Sequence, residues 1–508
     1  MKTKAKVGRY QRVVAVLGTS RAFKIIVGIL VVQAVWIALT GRFPMAFDED
    51  FHLGIIKLYA QHISPFWDHQ PAGANVYGEI TRDPSYLYQW LMSFPYRLIN
   101  LFTHNLTAQV IILRFLNIAL FVSGLLLFRR LLAQARASQA LVNLCFLALV
   151  LIPIVPLLAA QINYDNLLLP LAAINMLLCL RLVRTVRESG KLPVGRLVGL
   201  LSVGMLTSVV KYAFLPIFLA IILFVIWQLR LSYKKWPKLI QAAKHGYRQL
   251  SLASRIGLLV ILIVAAGLFA ERYAINLARY HTPVPGCAQV LDAKACSQYG
   301  PWNRDHLYAA NSPHSTHNPL IFTGDWFYGM WLRLFFAVDG PTTGFETRGP
   351  LWLPGMAGII FGGLSLLLMM RYGRSVLKNQ HSPMLSLATL AAAFYVAALW
   401  FQEYQAFCRT GHPVAINGRY LLPIILPMLL LAALAWQRLL AGRKQIQAIL
   451  ACIAVLALLW GGGALTYILR SNDAWYWPNS NVLHANHAVQ HVLWPVTPGV
   501  NDPFFLFY

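Results

Sequence analysis

Long apolar runs alternate with short polar or basic connectors along the chain, and this alternation decides the architecture. A helix crosses ~30 Å of hydrocarbon in about 20 apolar residues. Runs near that length lie at 23–40, 109–128, 141–160, 166–183, 197–210, 212–229, 256–275, 351–370, 384–401, 421–440 and 447–468. They predict an all-α polytopic membrane protein of about eleven spans with large loops on one face. The fifth run is short and ends at Lys211. Another apolar stretch, Ser85 to Phe102, reads as an interfacial amphipathic helix with Tyr88, Trp90 and Tyr96 at headgroup level. Counting it as a span would move Arg129 and Arg130 to the outer side.

Composition agrees with the pattern: 58% of the 508 residues are hydrophobic and only 12% are charged, too apolar for a soluble core. A net charge of +26 would suit nucleic acid if it were gathered on one folded face. Here most Lys and Arg residues instead fall at the N-terminus and near 129–140, 181–196, 230–255, 371–383 and 438–446. With a cytoplasmic N-terminus all these segments lie inside, and of the acids only Glu188 joins them. That asymmetry is what the positive-inside rule demands. The opposite face then receives loops 41–108, 276–350 and 402–420 and the tail from 470. Lys2, Lys4, Lys6, Arg9, Arg12, Arg21 and Lys24 precede the first apolar run as in a signal peptide, but no small-x-small cleavage site follows, so a retained span is expected. The chain divides into a transmembrane part, 1–470, and a tail, 471–508, whose Trp475, Tyr476, Trp477 and Trp494 suggest a segment lying along the interface. Cys145, Cys179 and Cys452 sit in apolar runs as packing residues. Cys287 and Cys296, in a polar, Pro-rich segment, have a spacing compatible with a local disulfide in an oxidising compartment, although spacing alone sets no geometry.

Long loops on a membrane scaffold are where chemistry is expected. Directly after the first span come Phe47, Asp48, Glu49, Asp50, Phe51 and His52. A solvated acidic turn is one reading. The other is catalytic, because partial desolvation at the hydrocarbon edge raises carboxylate basicity and suits a general base. His52, one helical turn from Asp48, shares its face. Weaker signals are His281, His306, His314 and His317 with Asp305 and Asp325, whose spacing fits no metal site, and the glycosylation-acceptor form Asn105-Leu106-Thr107. No cofactor is implied and no metal ligands are assigned; a divalent metal stays open. The chain has no Walker loop, Rossmann fingerprint or nucleophile elbow, so a soluble nucleotide-sugar donor is not supported.

An Asp-Glu pair after the first span, followed by a long outer loop, resembles the GT-C superfamily of polyprenyl-phosphate-sugar glycosyltransferases, and the D-E-x-x-H form at Asp48, Glu49 and His52 is similar to a bacterial branch of it. Thr207-Ser208-Val209-Val210-Lys211-Tyr212 resembles that branch's Lys-bearing membrane turn, and Asn417-Gly418-Arg419-Tyr420-Leu421-Leu422-Pro423 its G-R-Y-x-x-P start of a late span. The resemblance implies Asp48 as general base, with Glu49 as a neighbour that binds the acceptor or tunes the base. It implies Lys211, Arg419 and Tyr420 at the donor phosphate, and His52 and Asp165 on the acceptor side or in support. Asp50 has no counterpart. Arg114 either assists at the phosphate or pairs with Asp165 in the turn Gln161 to Asn166. A cation at the membrane edge must snorkel or meet an anion, so Lys211 and Arg419 each have a purely structural alternative.

The resemblance further implies inverting transfer on the outer face of a bacterial inner membrane. The partners would be a polyprenyl-phosphate-linked sugar, a glycan, lipid or protein acceptor, and membrane lipids, with no nucleic acid. The competing readings are a lipid or polysaccharide transporter or flippase, and a polysaccharide polymerase or ligase. A transporter should bury ionisable groups near the midplane and show repeat symmetry.

Overall fold

The computed structural model describes residues 9–46, 48–312, 318–336, 348–380 and 382–497. Among these the regular structure is helical, with no strand and one isolated bridge between Gly41 and Tyr476. Among the described residues nine helices are long and apolar enough to cross a membrane: Ser20–Thr40, Leu106–Ala135, Asp165–Ser189, Tyr212–Tyr233, Leu252–Tyr280, Trp352–Gln380, Pro383–Thr410, Gly418–Leu439 and Lys444–Arg470. Two shorter apolar helices, Gln139–Leu151 and Val194–Val210, occupy the other positions expected of spans.

The expected span 141–160 is broken. Its helix stops at Leu151, and Ile154–Ala159 forms a separate piece. Pro153 and Pro156 lack the N–H groups needed to continue the ladder. The Leu151 carbonyl freed by the break accepts the N–H of Gly463 at 2.8 Å. A Cβ on Gly462 would stand 2.5 Å from that oxygen, so only glycine lets the two backbones approach. The last apolar run is interrupted at the same place, between Leu459 and Ala464, and Gln33 of the first span accepts the Ala464 N–H at 2.7 Å.

The helix Leu87–Phe102 is amphipathic as expected, with Leu91, Phe94, Leu98, Leu101 and Phe102 exposed along one side. Tyr88, however, is fully buried and donates to Asn117 Oδ1 at 2.8 Å instead of lying at headgroup level. A phenol can be enclosed when its hydroxyl finds such an acceptor.

The tail also differs from expectation. Trp475 and Tyr476 are buried in the core shared by the spanning helices. The Arg42 N–H donates to the Trp475 carbonyl (2.8 Å) and the Trp477 N–H to the Thr40 carbonyl (3.0 Å). The tail therefore fastens the chain where it leaves the first span. Trp494 remains exposed. Cys287 and Cys296 form a disulfide that ties together two single-turn helices.

Candidate functional site

Asp48 begins the helix Glu49–Ala60 in the left-handed conformation (φ 70°, ψ 27°), which Asp and Asn tolerate better than most residues. Its carboxylate does not cap that helix. It instead accepts from Arg419 Nη2 at 2.6 Å. Arg419 lies in the short 3-10 turn Gly418–Leu421, and its own N–H donates to the Asn417 side chain at 3.1 Å. Gly418 is required there, since a Cβ would meet the Met330 carbonyl at 2.3 Å. Arg419 is 4% exposed and Asp48 54%. An accessible carboxylate is thus held by an enclosed guanidinium.

A second pair stands beside the first. Lys211 Nζ donates to Asp165 Oδ1 at 2.6 Å, with both side chains buried. The ammonium lies over the rings of Tyr164 (4.5 Å) and Tyr420 (4.7 Å), and the Arg419 guanidinium is 5.4 Å from the same Tyr420 ring. Lys211, Asp165 and Arg419 each sit where an apolar helix begins or ends, so the two pairs share one end of the bundle.

Glu49 and Arg114 change role. Both are 0% exposed. Glu49 accepts from Arg114 Nε (2.8 Å) and Nη2 (2.7 Å) and from the N–H groups of Met45 (2.8 Å) and Ile162 (3.2 Å). Arg114 Nη1 donates to the carbonyls of Ala38 and Gly41. The expected pairing of Arg114 with Asp165, or with a donor phosphate, gives way to this one. A buried guanidinium needs the nearest charge that can satisfy it bidentately. Glu49 in turn has no face open to an acceptor, and together the two residues brace the backbone that carries Asp48.

His52 is buried, with its ring edge-on to Tyr164 at 4.5 Å. Satisfying every neighbour of the Gln89 amide places its nitrogen on the carbonyls of Ser85 (2.8 Å) and Tyr86 (3.2 Å) and its oxygen on His52 Nδ1 (3.1 Å). His52 then carries its proton on Nδ1, and Nε2 keeps a buried lone pair without a partner. Burial pushes the imidazole pKa down to about 3 against the opposing pull of Asp48, so the ring is neutral at physiological pH. For Asp48, desolvation by the surrounding helices would raise the pKa even though the side chain meets solvent; the Arg419 guanidinium beside it outweighs that and holds the carboxyl below its ordinary 3.8.

Several nearby residues carried no signal in the sequence. Gln89 and Asn117 sit in apolar runs, and only their contacts show that they orient His52 and Tyr88. Glu403, buried in Pro383–Thr410, accepts from the Trp326 indole N–H. Glu79, in the loop after Asp48, has one buried carboxylate oxygen without a partner, and burial, reinforced by Asp83, moves its pKa up to about 7. Tyr299, just past the disulfide, packs on Gly78, and its hydroxyl is within electrostatic reach of Glu79, Asp83 and Asp48. Its pKa is raised by burial and by those acids. His306 stacks on Trp302 at 4.7 Å, and His314 and His317 lie outside the described residues. Among the described residues no group of three or more His, Cys, Asp or Glu could hold a metal ion.

No family model matches the chain. No curated protein matches it either. A solved structure, ArnT from Cupriavidus metallidurans in the apo state, is similar over 95% of this chain and 74% of its own, with 14% identity and a TM-score of 0.41.

Proposed function

We propose that the protein is a membrane glycosyltransferase that moves a sugar from a polyprenyl-phosphate donor to an acceptor hydroxyl, with inversion, at the end of the bundle holding Asp48. The observation that carries this reading is the accessible Asp48 carboxylate in contact with Arg419, beside a second buried cation, Lys211. A base and the cations for a leaving phosphate are thus adjacent at the ends of apolar helices.

The chemistry follows from that placement. Asp48 takes the acceptor hydroxyl proton, the acceptor oxygen bonds to the anomeric carbon, and the bond from that carbon to the phosphate oxygen breaks. The negative charge that develops on the departing polyprenyl phosphate is met by Arg419 and Lys211. Arg419 has a further task. While it holds Asp48 the carboxylate is a weak base; an arriving phosphate offers the guanidinium a bidentate anion, and drawing Arg419 toward it restores basicity to Asp48. Neutral His52 and the Glu49–Arg114 pair position the Asp48 turn. The distribution of Lys and Arg along the chain supports a cytoplasmic N-terminus and an outward-facing site, and the resemblance to GT-C enzymes suggests the bacterial inner membrane.

The test is transfer by purified protein in detergent, supplied with radiolabelled polyprenyl-phosphate sugars and a membrane extract as acceptor. Wild-type transfer of single sugars is the expected result. Addition of preformed chains would instead indicate a polymerase or ligase, and no transfer from any donor would overturn the enzyme reading in favour of a transporter.

A further inference from the structure

The helix Tyr212–Tyr233 starts beside Lys211 and runs about 33 Å to the other end of the bundle. There the chain breaks at Lys234 (φ 59°) and turns into the amphipathic helix Trp236–Arg248. A cavity of about 70 Å³ lies in the angle, lined by Arg230, Lys234 and Lys235 with Tyr233, Trp236 and Leu229. That is room for on the order of five water-sized groups, the size of a phosphoryl headgroup.

Three cations around one cavity repel one another, Arg230 and Lys234 being four residues apart. No acid lines the cavity, and among the described residues none of the three has a carboxylate within ion-pair distance. The turn that gathers them is nevertheless held. The Tyr233 hydroxyl donates to the Gly190 carbonyl at 3.0 Å, and Gly246 lets the amphipathic helix sit against the Leu192 carbonyl, where a Cβ would come within 2.3 Å. Beside the cavity Trp227, Leu231, Trp236 and Ile240 are exposed, an apolar and aromatic flank suited to acyl chains and the headgroup boundary.

We propose that this cavity binds the phosphate headgroup of an anionic glycerophospholipid of the leaflet at that end, with Arg230, Lys234 and Lys235 on the phosphate and the acyl chains along Trp227 and Leu231. A topogenic role would need only the charge of these residues, not a shared cavity. The proposal is independent of what happens at Asp48.

The experiment uses full-length protein in detergent with an equimolar mixture of phosphatidylglycerol and phosphatidylcholine, the retained lipid being measured by mass spectrometry. Wild type should retain phosphatidylglycerol about tenfold over phosphatidylcholine. The triple variant Arg230→Gln/Lys234→Gln/Lys235→Gln should lose that preference, whereas Lys238→Gln/Lys244→Gln, on the adjoining helix Trp236–Arg248 but outside the cavity, should keep it. If the triple variant does not fold, Lys234→Gln alone should lower the preference about fivefold. The proposal is overturned by a wild type without preference, by a cavity variant that keeps it, by a control pair that loses as much, or by millimolar inorganic phosphate displacing the lipid, which would mean a free anion site.

Discussion

Arg419 and Asp48 lie 371 positions apart in the chain and 2.6 Å apart in the fold, and the two ends of the contact differ sharply in exposure. The cation is enclosed by the start of a late helix, while the carboxylate stays accessible. The Glu49–Arg114 pair, by contrast, encloses both partners.

Asp48→Asn is a clean probe of the base, because Asn accepts the same left-handed backbone and the same volume. Transfer should fall about 10²- to 10⁴-fold, measured at a temperature where both proteins are folded, because losing the partner of the enclosed Arg419 also lowers the unfolding temperature. Equal transfer by both proteins would remove Asp48 from the mechanism.

Arg419→Gln should move the acid limb of the pH profile upward. The Asp48 carboxyl is depressed, so the contribution of the pair to stability is present above about pH 3.8 and is lost as pH falls through the lower folded-state value. Without the guanidinium its lowering pull is gone, and Asp48 protonates at higher pH. Measured at saturating donor, an unshifted limb would contradict Arg419 control of the base.

Glu49→Gln leaves a fully buried guanidinium without its carboxylate and should destabilise the protein by about 3–5 kcal/mol. Glu49→Leu combined with Arg114→Met should recover much of that loss in thermal unfolding. If the double variant were no more stable than the single one, the bracing role of the pair would fail.

Lys211→Gln and Asp165→Asn each break the same buried pair, so both should be destabilising. A phosphate role for Lys211 adds a second effect that only Lys211→Gln should show, a rise in donor KM beyond that of Asp165→Asn at a temperature where both are folded. Equal KM values would leave Lys211 a structural cation.

Glu79 offers a titration near neutrality. Its folded-state pKa of about 7 lies above the ordinary 4.5, so the folded state binds the extra proton, and stability should decline as pH rises between those values and level off above the upper one. Glu79→Gln should abolish that slope in unfolding measured from pH 4 to 8.

The positions of the apolar helices were legible in the sequence because the length of a hydrophobic run is a local property that the bilayer thickness converts directly into a span. The acids after the first span, and the cations at Lys211 and Arg419, were visible for the same reason: they interrupt apolar runs. Which charge meets which was not. Arg114 takes Glu49 and leaves Asp165 to Lys211, a choice set by the packing of Leu106–Ala135 against the turn after the first span. The break at Ile152–Pro153 likewise draws in a glycine turn more than 300 positions away, and the tail pairs with Thr40 and Arg42. Such contacts depend on helices brought together from distant parts of the chain, where enclosing a charge or a bare carbonyl demands a partner that no local pattern specifies.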